Sequence, residues 1–391
     1  MPSLSLYLHF PFCARKCSYC DFNSHPPGPG EMDLYLAALR REIESRAPLA
    51  QNRVVETVYF GGGTPTLYPV EAPAGTLECL RQHFAFDGER VAVPARTPEK
   101  PPLPEVTCEA NPGTVDASYL RALREAGFNR LSLGVQSFRN DELRLLGRIH
   151  TANQAREAAL AAREAGFDNL SLDLIAGLPG QAVEAWEYNL AEALALAPEH
   201  LSCYGLSLPP GTPLAAAMER CELTPLDEDT SATLWVRTHE ILAGAAYDHY
   251  EVSNFARPGY QCRHNLTYWR NGEYLGFGVS AASYWGGCRS VNVAEVDDYA
   301  RRTAAGESVV GESECLPPAE RRGETIMLAL RMAQGVDLRR LRADFGDVAV
   351  DRLEPIAQEM AAAGLLHLSP DRWRPTLRGL LLNNRLAVAF L

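Results

Sequence analysis

Short apolar stretches rich in β-branched and aromatic residues alternate with amphipathic stretches through the first 208 residues, and this alternation limits the possible fold more than any other property of the chain. "LSLYLHF", "VVETVYF", "LPEVTCEA", "RLSLGVQSF", "NLSLDLIAGL" and "HLSCYGLSL" read as strands, and "YDHYEVSNF" as a weaker seventh. Between them "DLYLAALRREIESRA", "ASYLRALREAGF" and "NQAREAALAAREAG" carry apolar residues at helical spacing. Strands that alternate with helices make βαβ units and a parallel sheet. Two helices end in the same "REAGF", placing Gly127 and Gly166 where a left-handed cap closes a helix. Six repeats fall short of the eight in a closed barrel, so the expected fold is α/β, a partial (βα)6 barrel.

The proline-rich, polar "DGERVAVPARTPEKPPLPE" reads as a surface insertion before the third strand. The pattern changes after residue 285. "LPPAERRGETIMLALRM" opens a helical region, and "GLLHLSPDRWRPTLRG" reads as a short hairpin. Residues 1–285 are therefore expected to form the barrel and 286–391 a smaller, mostly helical domain.

With 46% hydrophobic and 22% charged residues, the 391-residue chain has the composition of a globular protein with a large core. Its formal charge of -12 repels phosphate backbones and argues against nucleic acid as a partner. "MPSLSLYLHF" lacks a basic leading region, and no run of about 18 apolar residues predicts a membrane span. The expected location is the cytoplasm. Ten cysteines in a chain of this length do not form a disulfide scaffold. Cys79, Cys108, Cys203, Cys221, Cys262, Cys288 and Cys315 are scattered, and each is expected as a small buried hydrophobe.

Each unusual polar cluster falls at the carboxyl end of a strand, where parallel α/β folds place their ligands. The cysteines follow the first strand, "GGGTP" the second, and Glu109 with "NPG" closes the third; Gln136 ends the fourth and Asp173 lies in the fifth. Cys13, Cys17 and Cys20 have the spacing C-x3-C-x2-C. A structural zinc ion wants four protein ligands. A [4Fe–4S] cluster can take three thiolates and leave one iron open.

"CARKCSYC", "GGGTP" and the strand-end residues resemble the radical S-adenosylmethionine (SAM) superfamily. The resemblance implies that Cys13, Cys17 and Cys20 hold a [4Fe–4S] cluster whose open iron binds SAM. It implies further that Gly62, Gly63 and Thr64 approach the methionyl amino group and that Glu109 accepts hydrogen bonds from the ribose. Tyr7, Tyr19, Gln136, Arg148 and Asp173 match further contacts to SAM.

Over nearly the whole chain, "YLHFPFC", "CDFNSH", "EANPGT", "LGRIH", "DLIAGLPGQ" and "HNLTYW" resemble the HemN/HemW group. That group joins oxygen-independent coproporphyrinogen III oxidases to heme chaperones. The oxidases carry a further cysteine two positions after the third, where this chain has Phe22. "HNLTYW" is similar to the H-N-x-x-Y-W motif of the HemW branch, linked to heme binding. The resemblance therefore implies a heme chaperone that delivers heme to acceptor hemoproteins, without coproporphyrinogen III oxidase activity. His264 would ligate heme iron, with Tyr268 and Trp269 packing beside the macrocycle. Cys262 is a competing thiolate, though a buried thiol is its simpler reading. A monomer or a heme-induced dimer, and a peripheral membrane contact, both fit this group.

Overall fold

The computed structural model describes residues 2–86 and 103–391. The expected insertion at 87–105 therefore lies almost wholly outside the described residues. The chain forms two compact units that interleave along the sequence: Met1–Leu226 with Glu273–Glu314, and Asp227–Gly272 with Cys315–Leu391. This division by packing differs from a single boundary at residue 285.

The first unit begins with β1 (Ser3–Phe10), α1 (Glu31–Arg46), β2 (Val54–Gly62), α2 (Glu71–His83), β3 (Glu105–Ala110), α3 (Ala117–Glu125) and β4 (Arg130–Gln136). It continues through α4 (Asn140–Leu145), α5 (Ala152–Glu164), β5 (Leu170–Ala176), α6 (Val183–Ala195), β6 (His200–Gly205) and α7 (Pro213–Glu219). Strands β1 to β6 pair in sequence order and all parallel. Local signals explain the helix ends. Thr151 and Gln154 close a capping box on α5, Asp116 accepts from the Tyr119 amide at the start of α3, and Gly127 and Gly166 have φ of 105° and 87°.

The sheet has one apolar and one polar face. Leu4, Leu6, Leu8 and Phe10 on β1, Val58 and Phe60 on β2, and Leu131, Leu133 and Val135 on β4 are all buried. The alternating positions are polar: Ser5, Tyr7 and His9; Thr57 and Tyr59; Thr107 and Glu109; Ser132; Ser171 and Asp173. Register aligns them, with Ser5 beside Thr57, Tyr7 beside Tyr59, Glu109 beside Ser132, and Ser132 beside Ser171.

The second unit starts with α8 (Glu228–Gly244), the antiparallel pair β7 (Asp248–Glu251) and β8 (Asn254–Ala256), and α9 (Arg263–Trp269). The weak seventh strand is thus a hairpin of this unit. The first unit resumes with β9 (Tyr274–Phe277), parallel to β1, then β10 (Ala282–Trp285), β11 (Cys288–Asn292), α10 (Val296–Ala305) and β12 (Val310–Cys315). β10 runs antiparallel to both β9 and β11. Past residue 315 the second unit is mostly helical, and its hairpin pairs Leu366–Leu368 with Arg372–Pro375. Four of the scattered cysteines are buried thiols, but Cys221 is exposed and Cys288 and Cys315 are disulfide-bonded, contrary to the reading as seven buried hydrophobes.

Candidate functional site: a cysteine loop beside a polar sheet face

The loop after β1 is fixed by backbone hydrogen bonds at both ends. The Cys13 amide donates to His25 O at 3.0 Å, and the Ser18 amide donates to Leu146 O at 3.0 Å. The Leu214 amide donates to Ser18 O at 2.9 Å, so the C-terminal end of α4 and the start of α7 both clamp the loop. Cys13, Cys17 and Cys20 are half-buried free thiols. Burial is the largest influence on Cys13 and Cys20 and raises the pKa of both thiols.

The glycine run seats directly against this loop. The Gly63 and Thr64 amides donate to Phe10 O at 2.7 Å and Phe12 O at 2.9 Å. A Cβ on Gly63 would lie 2.7 Å from Phe10 O, and one on Gly62 (φ 106°) would lie 2.6 Å from the His9 ring. Both glycines are therefore required by packing alone. Thr64 Oγ1 lies 3.4 Å from Cys13 Sγ, which ties the run to the first cysteine.

On the polar face, Glu109 accepts from Tyr59 Oη at 2.8 Å and from the Gly62 amide at 3.2 Å. Burial outweighs these bonds and pushes its pKa up to about 7. Tyr59 was not singled out from the sequence; its place on the same face as Tyr7, two strands in register, was the available signal. Tyr7 Oη lies 3.1 Å from His9 Nδ1, and burial raises the phenol's pKa well above its usual range. The acid in an apolar strand has its partners: Asp173 accepts from Ser132 Oγ at 3.1 and 3.2 Å and from Ser171 Oγ at 3.3 Å. Burial still raises its pKa.

Gln136 ends β4 at a register shift with φ of 68°, a strained conformation for a side chain with a Cβ. No protein group hydrogen-bonds its amide among the described residues. Tyr19 packs with Leu146, Ile175 and Leu178. Arg148 donates to Cys17 Sγ at 3.4 Å, to Gly134 O at 2.6 Å and to Asn111 Oδ1. Tyr7, Glu109, Gln136, Arg148 and Asp173 thus belong to one unit, as do the three cysteines.

His264, Tyr268 and Trp269 lie on α9 in the second unit. His264 is 1% exposed, and its Nε2 sits 2.7 Å from Tyr268 Oη. Tyr268 lies one turn from His264 on the same helix face, with the two rings in a T-shaped contact at 5.0 Å. Leu266 and Trp269 pack on the helical core around Ile326, Leu330 and Trp373. Cys262 is a fully buried thiol, matching its simpler reading.

Residues 7–191 match the model of the radical SAM superfamily, and residues 316–382 match the HemN C-terminal domain. The heme chaperone HemW of Bacillus subtilis is 35% identical over 388 residues, covering 99% of each chain. The chain belongs to the HemW family. The HemW of Escherichia coli is 41% identical over 282 residues, 72% of this chain and 70% of that one. Among solved structures, coproporphyrinogen III oxidase (HemN) from Escherichia coli, described as a radical SAM enzyme, superposes with a TM-score of 0.83 at 26% identity, covering 100% of this chain and 90% of that one.

Radical SAM membership implies a [4Fe–4S] cluster and SAM, and the donor set fits the cluster. Among the described residues no three His, Cys, Asp or Glu side chains converge on a point where one metal ion would sit. A tetrahedral zinc ion would demand such convergence, with Zn–S distances of about 2.3 Å. Thiolates that bind three different irons of a cuboidal cluster need no common point, and three soft donors suit it.

Proposed function

We propose that this chain is a heme chaperone of the HemW type, with a [4Fe–4S] cluster on Cys13, Cys17 and Cys20 and SAM on the polar face of the barrel sheet. When bound, the cluster supplies an electron that can reach the sulfonium of SAM. Glu109 would accept from the ribose hydroxyls, and Gln136, with an uncommitted amide, would meet the adenosyl part; Tyr7, Tyr19, Gly62, Gly63, Thr64 and Asp173 complete the wall. Heme would bind at α9 and pass to acceptor hemoproteins.

The observation that carries this reading over the oxidase is Phe22. The oxidases place a further cysteine there; here the side chain is 58% exposed and supplies no donor. His264 adds a constraint on loading. Its Nε2 faces Tyr268 Oη, so coordination of iron through that nitrogen requires Tyr268 to move aside.

One preparation tests both readings under anaerobic conditions. Hemin should bind with a Soret shift that His264→Ala weakens, and coproporphyrinogen III with SAM and dithionite should give no turnover. Conversion above a Cys17→Ala control would establish the oxidase instead.

A further inference from the structure

Arg148 is a half-buried cation with no carboxylate partner among the described residues. Its guanidinium forms no ion pair with any Asp or Glu among the described residues, and the charges that act on it most are those of Tyr19, Cys17 and Cys13. Its other partners, Gly134 O, Asn111 Oδ1 and the Tyr19 phenol, which burial keeps protonated, are neutral. A guanidinium partly withdrawn from water favours an anion beside it; Cys17 Sγ lies 3.4 Å from Nη1 and would become one as a cluster ligand.

The placement does not depend on the thiol. The Arg148 amide donates to Leu143 O at 2.9 Å, while the adjoining Gly147 (φ 70°) packs so closely on Ser18 that a Cβ would lie 2.6 Å from its Oγ. The Gly134 and Asn111 carbonyl oxygens both accept from Nη2, while Nη1 is the nitrogen that meets Cys17, so the positive charge is held by more than the thiol. The Nε–H is buried and unpartnered, leaving one donor for a carboxylate brought by SAM.

We propose that Arg148 sets the reduction potential of the cluster by placing a fixed positive charge and a hydrogen bond on the Cys17 thiolate. Reduction adds one electron to the cluster, [4Fe–4S]2+ to [4Fe–4S]+, and a neighbouring cation favours the more negative state. Hydrogen bonds to ligand sulfur and net charge are among the main controls on such potentials. The role is one of positioning charge, and it rests on the cluster assignment above.

The experiment is a dithionite titration followed by electron paramagnetic resonance, on wild-type protein and on Arg148→Gln, Arg148→Lys and Asn111→Asp, each after iron and sulfide analysis. At the poise where wild type is half reduced, Arg148→Gln should show a reduced-to-oxidised ratio at least tenfold lower, about 59 mV for a one-electron couple. Arg148→Lys should fall between the two. Asn111→Asp sets a carboxylate against the far side of the guanidinium and should also lower the ratio. A merely structural arginine would change cluster content and leave the midpoint of the retained cluster in place. An unchanged midpoint in a fully loaded Arg148→Gln overturns the inference. Should that variant not load, an unchanged midpoint in Asn111→Asp does so. A wild-type protein that takes up no iron and sulfide overturns both this inference and the cluster assignment, a result distinct from failure in the variants alone.

Discussion

At the scale of single residues, burial decides how the polar face behaves. Glu109 keeps a proton to about pH 7 because desolvation outweighs the Tyr59 hydroxyl and the Gly62 amide. Only the carboxylate accepts two ribose hydrogen bonds, so SAM affinity should rise as pH increases through 7, and calorimetry on Glu109→Gln should give a flat profile. The stability effect has the opposite sign. The folded state binds this proton more tightly than the unfolded chain, whose carboxyl titrates near 4.5, so Glu109 lowers stability progressively from about pH 4.5 to 7 and fully above it. The Tyr268→Phe substitution removes the hydroxyl that faces Nε2 of His264 and should speed hemin binding in stopped-flow absorbance. Asp173 stood out in the sequence because an acid inside an apolar run demands an explanation, and Glu109 because it closes a strand at the end where ligands gather. The burial of His264 and the contact of Arg148 with Cys17 were not, since each depends on a tertiary neighbour.

Among the elements, the first six strands were readable because each alternates buried aliphatics with a polar face over six to nine residues. β10, β11 and β12 were missed: they are only four to six residues long, glycine interrupts the region, they lie at the edge of the sheet, and β10 pairs antiparallel with β11. The glycine run reads differently once placed. Gly63→Ala would press a methyl group between the Phe10 and Phe12 carbonyls, destabilising the first unit by about 1–3 kcal/mol. Thermal melting should show this without SAM present, separating packing from ligand contact. α9 likewise serves two purposes. Trp269 packs against the helical core, so Trp269→Ala should lower the unfolding free energy of the second unit by about 3 kcal/mol, read from urea denaturation. Lost heme binding in that variant would report unfolding rather than a missing contact.

For the whole molecule, the six barrel repeats were legible, but nothing in the chain marked that the two units interleave along it. A change from strands to helices marks composition, not packing partners. The consequence is visible at Glu42 on α1, which is 1% exposed. Its carboxylate accepts from Arg46, from the Gly278 amide at 2.7 Å, from Asn292 Nδ2 at 2.8 Å and from Tyr299 Oη at 2.6 Å. A fragment ending at residue 285 loses two of these donors and leaves a buried carboxylate short of partners. It should fail to unfold cooperatively in urea, whereas full-length Tyr299→Phe should remain folded and lose about 1–3 kcal/mol.

That same carboxylate ties folding to the ribosome. Tyr299 follows Glu42 by 257 residues, so at 5–20 residues per second roughly 13–50 s of synthesis separate the two. Throughout that interval the first helix of the nascent barrel has an acid that must stay in water.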